Sequence, residues 1–204
     1  MLHMKSAVAA LGDEALRQMF IARREVFVDL LGWDVPVLEG RYEIDQFDDE
    51  HAAYLIVSGP NAEHLASARL LPTTRPHILA DLFAHLCEGE IPRGPGIFEI
   101  TRFCLDRRLT AAERRDARNK LVSSIAEYGI ANGIHTFTGV AEMGWLRQIL
   151  GFGWRSRPLG RAQRVGGKML AALAIDIDRE TPALLARTGI YSTPRQAEGT
   201  RHAA

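Results

Sequence analysis

The chain has no surplus of either charge: 25 Lys and Arg balance 25 Asp and Glu across 204 residues, and the pI is near 7.1. A neutral chain has no global field with which to hold a polyanion, which argues against a generic nucleic-acid or anionic-membrane binder and makes any electrostatic function local. Cysteine is scarce. Cys87 and Cys104 have neither the number nor the spacing of a disulfide framework or a zinc site and read as reduced packing residues. No apolar run approaches the roughly 18 residues that span a bilayer, and the N-terminal MLHMKSAVAALGDEALRQ meets Asp13 and Glu14 after a short apolar stretch. The expectation is a soluble, cytoplasmic protein with no membrane or nucleic-acid partner. The seven histidines lack ligand spacing and no P-loop-like glycine motif occurs, so no metal site is expected.

What is present is an apolar fraction of 47%, sufficient for one globular core. From Asp13 to Gly32, Leu16, Met19, Phe20, Phe27, Leu30 and Leu31 recur at helical spacing. Pro36 to His51, with a Gly, a Pro and many acids, is too polar and irregular for a core element and reads as a long functional loop. Ala52–Ser58 and Glu63–Leu71, parted by Gly59, Pro60 and Asn61, read as an antiparallel hairpin. A short helix is expected over 76–88, a strand over Ile97–Leu105, a long helix from Thr110 to Asn132, a strand over Ile134–Val140 and a helix over Glu142–Leu150. Trp154–Leu159 and Arg164–Ile177 supply one or two closing strands, the second of which could begin as a helix. This order gives a single α/β domain over 1–180, a mixed, mostly antiparallel sheet flanked by helices. Residues 181–204 are dotted with Pro, Arg and Thr and read as a fraying C-terminal tail. The element order is that of the acetyltransferase-like fold, in which the central strand pair splays to admit a thioester.

Charge sits where it is expensive. A period of 3.6 places Arg23 inside the apolar stripe, and a buried guanidinium needs a carboxylate. Between Glu39 and Glu50 the chain carries Glu39, Glu43, Asp45, Asp48, Asp49 and Glu50 against one base, Arg41, and Asp45 or Asp48 is the expected partner of Arg23. Arg69 interrupts SARLL, and Arg102 shares EITRF with Glu99. Isolated burial of each would cost several kcal/mol, so they are expected to converge on one polar network. Taken singly, an acidic loop is a solvated loop and a strand arginine an edge residue; it is their joint occurrence that points to a site.

These residues carry a resemblance. Arg23-x-x-x-Phe27, Trp33, Glu43-Ile-Asp45-Gln-Phe-Asp48, Ser67-Ala-Arg69-Leu-Leu-Pro-Thr73 and Phe98-Glu99-Ile-Thr-Arg102-Phe103 follow the order and spacing of the N-acyl-homoserine-lactone synthases of bacterial quorum sensing. The resemblance runs from about residue 16 to 178, with later blocks at Gly151-Phe-Gly-Trp154 and Pro158-Leu-Gly160. It implies an acyltransferase with no permanently bound cofactor. S-adenosylmethionine, a substrate, gives its amine to an acyl thioester on acyl carrier protein or coenzyme A; its carboxylate then attacks its own γ-carbon and expels methylthioadenosine. By the same resemblance Arg23, Asp45, Asp48 and Arg69 form the ion-pair network, Phe27 and Trp33 shape the S-adenosylmethionine pocket, and Glu99 and Arg102 complete its floor, with Phe103 beside them. The acidic loop would complement the cationic sulfonium and ammonium. A carboxylate, directly or through water, is the available base; Glu99 is favoured and Glu43 comes second.

Arg107, Arg108, Arg114, Arg115, Arg118 and Lys120 cluster at the start of the long helix. Within this cluster Arg114, Arg115 and Arg118 are the docking candidates for an acidic carrier, with a solvated helix face the competing reading. Met143, Trp145, Leu146, Ile149 and Phe152 offer an apolar wall to the acyl chain, though such spacing also describes ordinary core, and Thr138 can hydrogen-bond a 3-oxo group. Two other functions remain open: a coenzyme A-dependent N-acyltransferase acting on another amine, and a non-catalytic relative that binds S-adenosylmethionine or an acyl thioester. Against the former, residues 103–116 lack closely spaced pyrophosphate-binding glycines.

Overall fold

Asp13 starts the first helix, α1 (Glu14–Arg23), its carboxylate accepting from the backbone N–H groups of Ala15 and Leu16. The computed structural model describes residues 11–192 and the backbone of 201–202. The helix expected to run unbroken to Gly32 changes register at Arg24. Residues Arg24–Leu30 are a π-helix, with the Leu31 N–H donating to the Val26 carbonyl. The wider turn takes up an extra residue, so the 3.6-residue count fails from this point. Phe27 stays buried, whereas Leu30 and Leu31, which the count places in the stripe, are 60% and 40% exposed.

The acidic segment after it is more interior than its composition suggests. It contains an antiparallel ribbon of β1 (Val37–Leu38) and β2 (Tyr42–Glu43), and Tyr42, Glu43, Ile44, Phe47 and Asp48 are all buried. Glu43 and Asp48 are not solvated but partnered, whereas Glu39 and Glu50 at the ends of the segment are exposed.

The α/β domain divides into two compact units. One reaches to Leu70, resumes with Arg102–Leu121 and includes Arg201–His202; the other comprises Leu71–Thr101 and Val122–Thr193. In the first, β3 (Ala53–Ser58) pairs antiparallel with β4 (His64–Pro72), placing Tyr54 opposite Arg69. On its other edge β3 pairs with β10 (Arg201–His202). The C-terminal part of β5 (Ile97–Leu105) belongs to this unit, and Asp106 N–H, just beyond it, donates to the Leu65 carbonyl. The helix α3 (Ala111–Ala131) begins in this unit and ends in the other.

In the second unit the first half of β5 runs parallel to β6 (Thr136–Glu142), and β6 is antiparallel to β9 (Lys168–Asp176). Strands β7 (Arg155–Pro158) and β8 (Gln163–Val165) both pair antiparallel with β9. The sheet is therefore mixed and mostly antiparallel, as expected. Pairing of β5 with β6 covers Ile97–Glu99 against Thr136–Thr138, while β6 continues along β9 to Glu142, so these two strands part company after Glu99.

Three local expectations need correction. The helix expected over 76–88 is two pieces, α2 (Ile78–Leu82) and a 3₁₀ turn at Ala84–Leu86. The segment from Arg164 does not begin as a helix; it is a hairpin, turned at Gly166 and Gly167, whose φ values of 55° and 82° suit residues without a Cβ. After α4 (Met143–Leu150), residues beyond Thr181 do not fray at once. They form α5 (Thr181–Arg187), with Pro182 in its first turn and Thr181 and Leu185 buried. The Tyr191 hydroxyl then donates to Glu127 (2.7 Å), and Ser192 N–H to Ser123 Oγ (2.9 Å). The rest of the expected tail, 193–200 and 203–204, lies outside the described residues.

Candidate active site

In the first unit three arginines meet three carboxylates. Arg23, at the end of α1, donates from Nε to Glu43 (2.6 Å) and from its two Nη atoms to Asp48 (2.8 and 2.9 Å). Arg69, on β4, donates to both oxygens of Asp45 (2.6 and 3.1 Å) and lies 2.8 Å from Asp48. Arg102, on β5, donates to Glu43 (2.9 Å) and Asp45 (2.7 Å). Asp48 also accepts from the Tyr54 hydroxyl and the Asp45 N–H, each at 2.8 Å. The expected convergence of Arg23, Asp45, Asp48, Arg69 and Arg102 is present. The pairing differs in one respect: Arg23 takes Asp48 and Glu43, and Asp45 goes to Arg69 and Arg102. Glu43 thereby links two arginines, a role its place in the sequence does not reveal. Tyr54 was missed; its signal is a phenol inside the apolar run AYLIV.

Arg23, Glu43, Asp48 and Arg69 are at most 1% exposed. Burial by itself lifts the carboxyls of Glu43 and Asp48. The Arg23 guanidinium, with Arg102 for Glu43 and Arg69 for Asp48, outweighs it and holds both below the ordinary carboxylate range. For Arg23 and Arg69 burial works against the charge, and the facing carboxylates more than compensate, leaving both fixed cations. Burial, then the Asp48 charge, pushes the Tyr54 hydroxyl up, so it stays a neutral donor. Three cations matching three anions leave the network neutral. The buried acids of the loop are thus not a free negative field for a cationic ligand, and the network presents both signs at short range.

Phe27 and Trp33 stack 4.7 Å apart at 24°, with the Arg102 guanidinium 5.5 Å from each ring centre. The π-helix makes this stack by turning Phe27 inward, and Trp33 keeps 37% of its surface exposed. Arg102 itself adopts φ 48°. A left-handed non-glycine residue inside a strand costs about 1 kcal/mol or more and breaks the pleat. Regular alternation sends residues three apart on a strand, such as Glu99 and Arg102, to opposite faces; β5 is irregular at Arg102 and leaves its β6 partner after Glu99. Phe103, next along, is half-buried.

In the second unit Glu99 is fully buried, and its Oε1 accepts from Leu79 N–H at the start of α2 (2.9 Å). Thr138 lies in register with it on β6. On α4, Leu146 is buried and Met143 and Trp145 half-buried; Trp145 meets Phe152 edge-on at 5.7 Å, and Phe152 meets Trp154 at 5.8 Å. Much of the proposed apolar wall is thus consumed by packing.

The basic cluster is less free than its sequence suggests. Arg114 donates to the Asp106 carbonyl (3.2 Å), Arg118 donates to Asn119 (2.9 Å), and Arg108 chelates Asp106. Arg118 and Arg114 are half-buried, while Arg115 and Arg107 are exposed. Among the described residues no three potential metal ligands gather.

A model of the autoinducer synthase family matches residues 8–185. The chain is 33% identical over 182 residues to an acyl-homoserine-lactone synthase of Ralstonia nicotianae, covering 86% of this chain and 88% of that protein. It is 31% identical over 201 residues to an isovaleryl-homoserine lactone synthase of Bradyrhizobium diazoefficiens, covering 96% and 89%. Among solved structures it superposes on BjaI, a CoA-dependent acyl-homoserine lactone synthase held with S-adenosylmethionine and isopentyl-CoA, with TM-score 0.79, 29% identity and coverage of 96% and 92%. A more distant likeness to Escherichia coli ElaA, at TM-score 0.53 and 16% identity over 78% of this chain and 88% of that one, shares the fold alone.

Proposed function

The chain belongs to the autoinducer synthase family, and from that premise we propose how its residues carry out acyl-homoserine-lactone synthesis from S-adenosylmethionine and an acyl thioester of coenzyme A or acyl carrier protein. The observation that carries the reading is the buried neutral network of Arg23, Arg69, Arg102, Glu43, Asp45 and Asp48. The methionine end of S-adenosylmethionine is a zwitterion. A network offering both signs suits it better than a purely acidic loop: carboxylates face its ammonium and sulfonium, and Arg102, the least buried of the three arginines, faces its carboxylate. The Phe27–Trp33 stack gives a flat aromatic face for its adenine.

The amine must be neutral to attack. Glu99, on the same strand as Arg102 and three residues before it, is the proposed proton acceptor, with Glu43 disfavoured because two guanidiniums hold it ionised and hydrogen-bonded. The amine nitrogen bonds to the thioester carbon, the carbon–sulfur bond breaks, and the thiol leaves with a proton. In the second step the methionine carboxylate displaces the sulfonium from its own γ-carbon. This step needs no proton: the negative carboxylate and positive sulfur neutralise each other as the lactone and methylthioadenosine form. Both substrates are intracellular metabolites, and we place the reaction in the cytoplasm. Among the described residues no helix is long and apolar enough to cross a membrane.

Arg107 and Arg115 are the proposed contacts for an acidic carrier, with Arg114 and Arg118 supporting them from their half-buried positions. The reading is tested by following thiol release from a set of acyl thioesters with S-adenosylmethionine, with other amines, and with neither. Release that requires S-adenosylmethionine is expected; release with an ordinary amine instead favours a general N-acyltransferase, and none with any amine favours a non-catalytic binder.

A further inference from the structure

In the second unit the buried atoms Thr138 Oγ1 and His77 Nε2 have no hydrogen-bond partner. Thr138 is 1% exposed and His77 0%. The state of His77 follows from its other nitrogen: Nδ1 lies 2.8 Å from the Arg75 carbonyl oxygen, which can only accept. In the neutral imidazole Nδ1 therefore carries the proton and Nε2 is a bare acceptor. Such an atom, sealed from solvent, calls for an O–H or N–H donor. The Thr138 hydroxyl can donate or accept.

Both residues are tied to Glu99 through the backbone. Thr138 is its register partner on β6, and His77 stands two residues before Leu79, whose N–H donates to Glu99 Oε1. Two residues beyond each lies a member of one apolar cluster, Leu79 after His77 and Val140 after Thr138. Thr138 and Val140 share a face of β6, about 7 Å apart. Leu79, Leu86 and Ala172 in that cluster are buried, but Phe83, Cys87 and Val140 are only partly covered. A ligand that reaches both atoms would meet a donor–acceptor pair on the elements that hold Glu99, with the apolar cluster two residues along each.

We infer that the acyl substrate is a 3-hydroxyacyl thioester, its hydroxyl donating to His77 Nε2 and accepting from Thr138 Oγ1, with the alkyl chain on the Leu79–Val140 cluster. The inference rests on the synthase reading, with Glu99 beside the reacting amine. Adjacent strands are about 4.8 Å apart, so Thr138 is within reach of a substituent two carbons beyond the thioester carbon, the position oxygenated in chains built by carbon–carbon condensation. A 3-oxo group accepts from Thr138 but sets its oxygen against the His77 lone pair. An unsubstituted methylene leaves both atoms unmet.

The test compares kcat/KM for thioesters of one chain length carrying CH2, C=O or CHOH at carbon 3, with lactone quantified by mass spectrometry. The 3-hydroxy substrate is expected to exceed each of the others by about tenfold or more. In H77N the amide nitrogen can keep the hydrogen bond to the Arg75 carbonyl while Nε2 is lost, and the ratio of hydroxy to unsubstituted substrate should fall toward one. T138V should lower the same ratio, and the wild-type comparison stands if either variant fails to fold. Wild-type turnover with equal or reversed preference, or a preference unmoved by H77N, overturns the inference and leaves the synthase reading intact. No lactone from any thioester overturns the reading itself.

Discussion

Arg23→Ala removes one of the two fully buried cations of the network and leaves its partners in place. The side chain donates three hydrogen bonds to two carboxylates that are 0% exposed. After truncation Asp48 keeps Arg69 and Tyr54, and Glu43 keeps Arg102, so neither acid is wholly abandoned. The expected loss is about 3–5 kcal/mol at pH 7, which for a chain of this size lowers Tm by about 6–20 °C. The pH dependence distinguishes an ionic cause from simple cavity formation. Glu43 and Asp48 are held below their ordinary range in the folded wild type, so their contribution is complete above the unfolded carboxyl value of about 4 and fades as pH falls through the folded values. In the variant those folded values rise. The unfolded value is common to both proteins, so the difference between them should be greatest at neutral pH and shrink as pH falls below the variant's raised folded values toward those of the wild type. Urea denaturation at pH 7 and near pH 4, with lactone formation measured in parallel, reads both. A loss below about 1 kcal/mol at pH 7 refutes the buried ionic network.

Further outcomes follow from single contacts. Glu99→Gln keeps an oxygen to accept from Leu79 N–H, so kcat should fall by about 100-fold or more while Tm changes little; unchanged kcat removes Glu99 from proton transfer. Reversing the exposed Arg107 and Arg115 to Glu should raise KM for an acyl carrier protein and spare a small acyl thioester; equal effects on both return this face to ordinary solvation. Gly160→Ala sets a Cβ 2.4 Å from the Leu86 carbonyl oxygen, and thermal denaturation should show a loss of about 1–3 kcal/mol.

The network was legible in the sequence because burying an arginine leaves a mark: Arg23, Arg69 and Arg102 interrupt apolar patterns, and an acid-rich segment lies between them. Which acid meets which arginine was not legible. Asp45 and Asp48 are three residues apart, and their division between Arg69 and Arg23 depends on the turn in which Asp45 N–H donates to Asp48. The π-register of Arg24–Leu30 was hidden too, because a change of hydrogen-bond ladder alters no residue type; it shows only afterward, in Leu30 lying outward and Phe27 inward. The irregularity of β5 left only an indirect mark, two polar residues three apart on one strand; that it falls on a left-handed Arg102 was not legible. His77 gave no signal. A histidine in RPHIL reads as a loop residue until its burial and its bond to the Arg75 carbonyl are seen.

The central claim is that amide formation and displacement at sulfur are coupled on one S-adenosylmethionine molecule. Mass spectrometry of a reaction containing S-adenosylmethionine labelled in its methionine carbon chain, an acyl thioester and this protein tests it most directly. The account predicts labelled acyl-homoserine lactone and unlabelled methylthioadenosine in equal amounts, both absent without the thioester. Methylthioadenosine released without lactone, or an acylated product that retains its sulfonium, would contradict it.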